Sequence, residues 1–206
     1  MKTNHVEIMV EEPSMDAFLS LLLPKLLAKD ITYSIHAYQG KPDLLRKLQN
    51  RLRGYSKFIP GDWRIVVIID EDRENCMELK QKLESASTSA GLFTKSNPRS
   101  DGAFHVINRL AVEELEAWYF GDVKALCKAY PGIPSTLDSK AKYRNPDAIT
   151  GGTWEQLENI LNKANYHKGG LSKIQAAQDI AIHMDPNINR SRSFRVFRDA
   201  LLELNA

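Results

Sequence analysis

The stretch Arg64-Ile-Val-Val-Ile-Ile-Asp-Glu-Asp72 constrains this chain more than any other. Five consecutive β-branched residues, Ile65 to Ile69, give way abruptly to three acids. An unbroken apolar run of this length suits a strand covered on both faces, in the middle of a parallel sheet with helices on either side. Side chains alternate along an extended backbone, so Asp70 and Asp72 are expected to leave on the same side. Two carboxylates at the carboxyl end of a central strand repel each other, and a divalent cation would relieve that repulsion. Ligands of open α/β sheets bind at this edge.

The flanking segments extend the pattern. Val6-Glu-Ile-Met-Val10 reads as a first strand, followed by Glu11-Glu12 and a helix opening at Pro13, with a kink or break at Pro24. Ile31 to Ala37 reads as a second strand, and a basic helix follows from about Pro42, with Leu44, Leu45, Leu48 and Leu52 as its apolar stripe. After the acidic strand, Cys76, Leu79, Leu83, Ala86 and Ala90 mark another amphipathic helix. Phe104 to Asn108 reads as a fourth strand and Leu110 to Phe120 as a helix; the remainder is helical with polar connections. The expected fold is therefore α/β, a mostly parallel sheet flanked by helices (residues 1–122), with a helical C-terminal extension packed on it (residues 123–206).

Composition excludes several classes. With 43% hydrophobic and 26% charged residues the chain is an ordinary globular sequence, and a net charge of +2 announces no polyanion partner by itself. The longest apolar run, near Phe18 to Leu27, is too short and too interrupted to span a bilayer, and the first residues lack a signal-peptide core, so a cytoplasmic location is expected. Cys76 and Cys127 have neither disulfide-framework nor zinc spacing. No GxSxG, GxGxxG or P-loop occurs.

The residues with chemical potential are Glu11, Asp70 and Asp72, three acids at the ends of two strands. Such oxygens suit Mg²⁺, with Mn²⁺ as a substitute, leaving coordination positions open to phosphate and water. The competing reading makes Asp70 and Asp72 caps of the helix beginning near Asn75. A calcium loop starting at Asp70 fails, because its sixth and twelfth positions are Asn75 and Gln81 instead of Gly and Glu. Glu113 and Glu114 read as a solvated helix face. Glu116, beside Ala-Trp-Tyr-Phe, reads as equally suited to burial with a purpose and to exposure. Lys41, Arg46, Arg190, Arg192 and Arg195 are candidates for phosphate contacts in nucleic-acid binding. His36, His105, His167 and His183 show no paired spacing, and packing or structural roles suit them and both cysteines.

A Glu after the first strand and a DxD after a later one resemble the TOPRIM domain of topoisomerases, primases and the nucleases associated with overcoming-lysogenization-defect ATPases. A wider set of segments is similar to the bacterial TOPRIM-like proteins grouped as domain of unknown function 4276. These are Val10-Glu11-x-Pro13-Ser14, Gln39-Gly40-Lys41, Ile69-Asp70-x-Asp72, Glu114-x-Glu116-Ala117-Trp118-Tyr119-x-Gly121-Asp122, Lys168-Gly169-Gly170 and Ser191-x-Ser193-Phe194, spread over nearly the whole chain. The resemblance implies Mg²⁺ at Asp70 and Asp72, Glu11 as ligand or general acid/base, and Glu116 as a further acid. It also implies a partner ATPase, a role in antiphage defence, and DNA or RNA as substrate. The usual TOPRIM glycine after the Glu is Glu12 here, which makes Glu12 an alternative ligand. The expectation is a Mg²⁺-dependent nuclease. Its alternative is a non-catalytic subunit that docks on or regulates a partner ATPase; in either case the helical tail, with Trp118, Trp154, Phe194 and Phe197, is a candidate docking surface. The sequence leaves a homo-oligomer open.

Overall fold

The computed structural model describes residues 2–206. Four strands form one all-parallel sheet in the order β2-β1-β3-β4: β1 (His5–Val10), β2 (Thr32–Ala37), β3 (Trp63–Asp70) and β4 (Val106–Ala111). Ile65 to Ile69 are fully buried, and their alternation divides them between two cores. Val66 and Ile68 join Val6, Ile8 and Val10 on one face; Ile65, Val67 and Ile69 join Met9 on the other. Each such side chain contributes about 1.5–3 kcal/mol relative to exposure, so both helical layers are anchored on this strand.

The second face is covered by α2 (Lys41–Tyr55) through Leu44, Leu48 and Leu52, and by α3 (Cys76–Ser89) through Leu79 and Leu83. The first face takes α1 (Pro13–Leu22) and the C-terminal helices. These are α4 (Leu115–Gly121), α5 (Val123–Ala129), α6 (Thr153–Lys163), α7 (Lys173–His183) and α8 (Arg192–Leu202). Helix α1 ends before Pro24 in a short 3-10 turn, the expected break. From that turn Lys25 Nζ donates to the carbonyls of Ala181, Ile182 and Met184 at 2.8, 2.8 and 2.9 Å, closing the C-terminus of α7. The C-terminal helices thus share one apolar core with α1 and the sheet.

Two expectations need correction. Strand β4 runs from Val106 to Ala111, so Leu110 belongs to the sheet and the helix starts only at Leu115. Between them Glu113 adopts φ +63°, a left-handed turn that no glycine marks. Three of the four expected docking aromatics are also not at the surface: Trp118, Phe194 and Phe197 are fully buried, and Trp154 is half-buried. Trp118 stacks on Phe197 at 5.0 Å, meets Phe194 edge-on at 5.4 Å, and donates from Nε1 to Ser193 Oγ at 2.9 Å. Ser191 caps α8 by accepting from Phe194 N at 3.1 Å, and Asp147 accepts from Ser191 Oγ and Ser193 N at 2.6 and 2.7 Å. The Glu-Ala-Trp and Ser-x-Ser-Phe segments therefore lock to each other. Among the described residues no helix is long and apolar enough to cross a membrane.

Candidate functional site

The chain passes from β1 outward to β2 with α1 on one face, then returns past β1 to β3 with α2 on the other. The order reverses between β1 and β3, which leaves a crevice at their carboxyl ends. Glu11, following β1, and Asp70, the last residue of β3, flank that crevice, and both are buried. Glu11 Oε2 accepts from the Asp70 amide at 3.3 Å. Asp70 Oδ1 is buried with no partner.

Sequence reading placed Asp70 and Asp72 side by side through strand alternation. Instead the strand stops at Asp70, and Asp72 turns through φ +53° with its amide donating to the Glu113 carbonyl at 2.7 Å. Its carboxylate, about half exposed, meets Lys41 Nζ at 2.6 Å. Neither aspartate caps α3. Asn75 does so, accepting from Met77 N and Glu78 N at 2.9 and 3.3 Å, which removes the capping explanation for the two acids.

Lys41 is not a free phosphate contact. It is buried at the start of α2, and its ammonium serves Asp72, Glu74 (3.2 Å) and the Glu71 carbonyl (3.1 Å). Burial works against its charge, but Asp72 and Glu74 outweigh it and hold its pKa above the ordinary value. Arg46 is exposed and paired with Asp43. Arg190 stands 3.6 Å from Asp138, and Arg192 and Arg195 are exposed on α8.

Glu116 comes into the same neighbourhood from the first turn of α4. It is 1% exposed, and its Oε2 has no partner. Burial pushes its pKa up to about 7, with Lys173 pulling the other way. Burial, then the nearby Asp72, pushes Glu11 up to about 7. Burial, followed by the charges of Glu11 and Glu116, raises Asp70 well above the usual carboxylate range. The Tyr119 hydroxyl, also buried without a partner, is raised by burial and by Glu116 and Asp70. Glu12 accepts from Ser14 Oγ at 2.5 Å and lies 3.6 Å from Lys173.

Lys173 was missed in the sequence, although a signal exists. A lysine at the first position of a helix opposes the macrodipole, so its place on α7 needs a compensating anion. Glu114 was misassigned to a solvated face. Its Oε2 accepts from Thr153 N, Trp154 N and Thr153 Oγ1 at 2.9, 2.9 and 2.6 Å, so it caps α6 from a distance. The cap position itself is Gly152 at φ +75°, where a Cβ would collide with the Glu155 carboxylate. A cleft of about 750 Å³ opens here, walled by Asp72, Glu74, Glu113, Glu114 and Trp154.

Several buried carboxyl groups thus share one crevice with too little positive charge. Their hard oxygens and the unpartnered Asp70 Oδ1 fit a divalent cation in donor chemistry. Glu11, Asp70 and Asp72 are the residues that would hold it. Among the described residues no three of His, Cys, Asp and Glu converge closely enough to hold an ion as they stand, so binding requires Asp72 to leave Lys41 or substrate oxygens to complete the shell. A family model described as "Domain of unknown function (DUF4276)" matches residues 10–202. No curated protein and no solved structure matches the chain.

Proposed function

We propose that this chain, which belongs to the domain of unknown function (DUF4276) family, is a divalent-metal-dependent hydrolase of phosphodiester bonds in DNA or RNA. The observation that supports this most is the buried, unpartnered Asp70 Oδ1 in the crevice between β1 and β3, beside Glu11. A structural acid at such a depth ordinarily finds a donor, so one left without is a candidate for holding a ligand. Mg²⁺ or Mn²⁺, when bound, would polarise the phosphoryl group and acidify a coordinated water.

The chain's own groups do the rest. Glu11, pushed up to about 7, is poised to take a proton from water or return one to the leaving oxygen near neutral pH. Lys41 holds Asp72 in reserve, and Lys173 limits the repulsion around Glu116 and Glu12. The exposed guanidiniums of Arg192 and Arg195 would meet the nucleic-acid backbone, with Arg46 joining them on leaving Asp43, and any ATP dependence would come from a partner ATPase in an antiphage system. The alternative, a non-catalytic subunit docking on a partner ATPase, would have to use a surface other than Trp118, Phe194 and Phe197, as would the hydrolase, since those three lie in the core.

The test compares cleavage of DNA and RNA with Mg²⁺ or Mn²⁺ by wild type and by Asp70→Ala, both shown folded. Metal-dependent cleavage that disappears in Asp70→Ala is the expected result. No cleavage of either polymer, or equal cleavage by the variant, would overturn the proposal.

A further inference from the structure

A second charged cavity lies at the other end of β3. Arg64 occupies the same row of the strand as Val66, Ile68 and Asp70, six residues before Asp70. At about 3.3 Å per residue the two ends stand roughly 20 Å apart. Arg64 is 8% exposed. Its Nη1 donates to the carbonyls of Gly61 and Trp63 at 2.8 and 2.7 Å. Its Nε is buried with no partner, and the guanidinium forms no ion pair among the described residues. Burial lowers its pKa, and the charge of Asp62 acts in the opposite direction. A guanidinium keeps its proton under all ordinary conditions, so this is a buried cation with no anion in direct contact among the described residues.

The surroundings have the chemistry of an anion site. A cavity of about 470 Å³ is lined by Arg64, Arg99, Phe104 and His105, together with Gly61 and Gly102. His105 Nδ1 accepts from Phe93 N at 3.4 Å, which leaves Nε2 as the donor of the neutral ring. Arg99 is paired at 3.3 Å only with Asp101, and both side chains are more than half exposed, so the arginine is free to turn inward. Asp101 also lines the cavity, and its Oδ1 accepts from Ala103 N at 3.0 Å, which fixes the loop. Phe104 lies 5.3 Å from the Arg64 guanidinium and 5.3 Å from Lys95 Nζ, while Lys95 is engaged by Glu203.

We propose that this cavity binds a phosphate ester dianion, with Arg64 as buried anchor and Arg99 and His105 Nε2 as further donors. Two guanidiniums with an imidazole N–H match the charge and the several oxygens of a phosphate better than those of one carboxylate. The volume leaves room for the group esterified to it. The phosphate comes either from a free nucleotide or from the end of a nucleic-acid strand.

The experiment is calorimetric titration of the full chain in metal-free chloride buffer, with no chelator anion to compete. Three probes distinguish the sources: inorganic phosphate, a nucleoside 5′-monophosphate and a short 5′-phosphorylated oligonucleotide. Arg64→Met and Arg99→Ala are measured alongside; Arg99 is on an exposed loop, so its variant tests the site even where Arg64→Met fails to fold. Loss of one charge-assisted contact predicts roughly 10-fold or more weaker binding. Saturable binding of phosphate and mononucleotide, weakened in the variants, assigns the site to a free phosphate. Binding of the phosphorylated oligonucleotide alone, equally weakened, assigns it to a strand end. Absence of binding by all three probes, or binding that Arg99→Ala leaves unchanged, overturns the proposal.

Discussion

Glu116→Gln is expected to stabilise the protein, and to do so only above a definable pH. Glu116 is 1% exposed with one carboxylate oxygen unpartnered, and burial raises its pKa from the ordinary 4.5 to about 7. Between those two values the native chain keeps a proton that the unfolded chain has released, so wild-type stability falls as pH rises through this window. The difference of about 2.5 pH units, at about 1.36 kcal/mol each, gives roughly 3 kcal/mol. Gln matches the neutral acid in shape and does not ionise; the pull of Lys173 is already contained in that shift, so the net gain stays at about 3 kcal/mol. Urea unfolding of both proteins at several pH values is the assay. The gain should be near zero at about pH 4.5, grow toward about pH 7 and then level off. Near pH 8 it corresponds to roughly 5–10 °C in Tm for a chain of this size. A gain independent of pH, or a loss at about pH 8, would refute the reasoning. If Glu116 also serves the proposed hydrolysis, the same substitution lowers activity while raising stability.

Other outcomes follow from single contacts. Glu114→Ala removes the acceptor of two amides and a hydroxyl at the start of α6, with an expected loss of about 1–2 kcal/mol and faster amide exchange at Thr153 and Trp154. Asn75→Ala should destabilise by about 1 kcal/mol in urea unfolding without touching metal binding, because the α3 cap and the acids are separate. Trp118→Ala opens a fully buried site against Phe194 and Phe197 and should lose about 3–5 kcal/mol, read by thermal unfolding. Mg²⁺ should raise the Tm of wild type and leave Asp70→Ala/Asp72→Ala unchanged; equal shifts in both would remove those residues from the metal proposal.

How much of this was legible depended on whether the determining contact was local. Ile65 to Ile69 announced a two-sided strand because every position had to be apolar, and the acids after it announced the crevice. The end of β4 was misread because Glu113 makes its left-handed turn without a glycine, so Leu110 and Ala111 ran into the helical pattern beyond. Lys41 read as an exposed phosphate contact, since its partners Asp72 and Glu74 are some thirty residues away and meet it only in three dimensions. Arg64 gave no signal at all. A cation at the start of a strand reads as solvated, and only the fold reveals that it is enclosed.

The packing of α1 on α7 has a consequence in time. Helix α1 is complete at Leu22, yet the helix that covers it begins at Lys173 and is closed by Lys25. Roughly 150 residues must be synthesised in between, on the order of ten seconds or more on the ribosome. During that interval Phe18, Leu19 and Leu22 lack their final cover, and the acids at the crevice lack Lys173. Ribosome-bound chains ending before Lys173 should therefore be cut readily by protease within α1, and chains extending through α8 should resist. A growing chain would thus acquire its balancing lysine only about 150 residues after the helix that needs it.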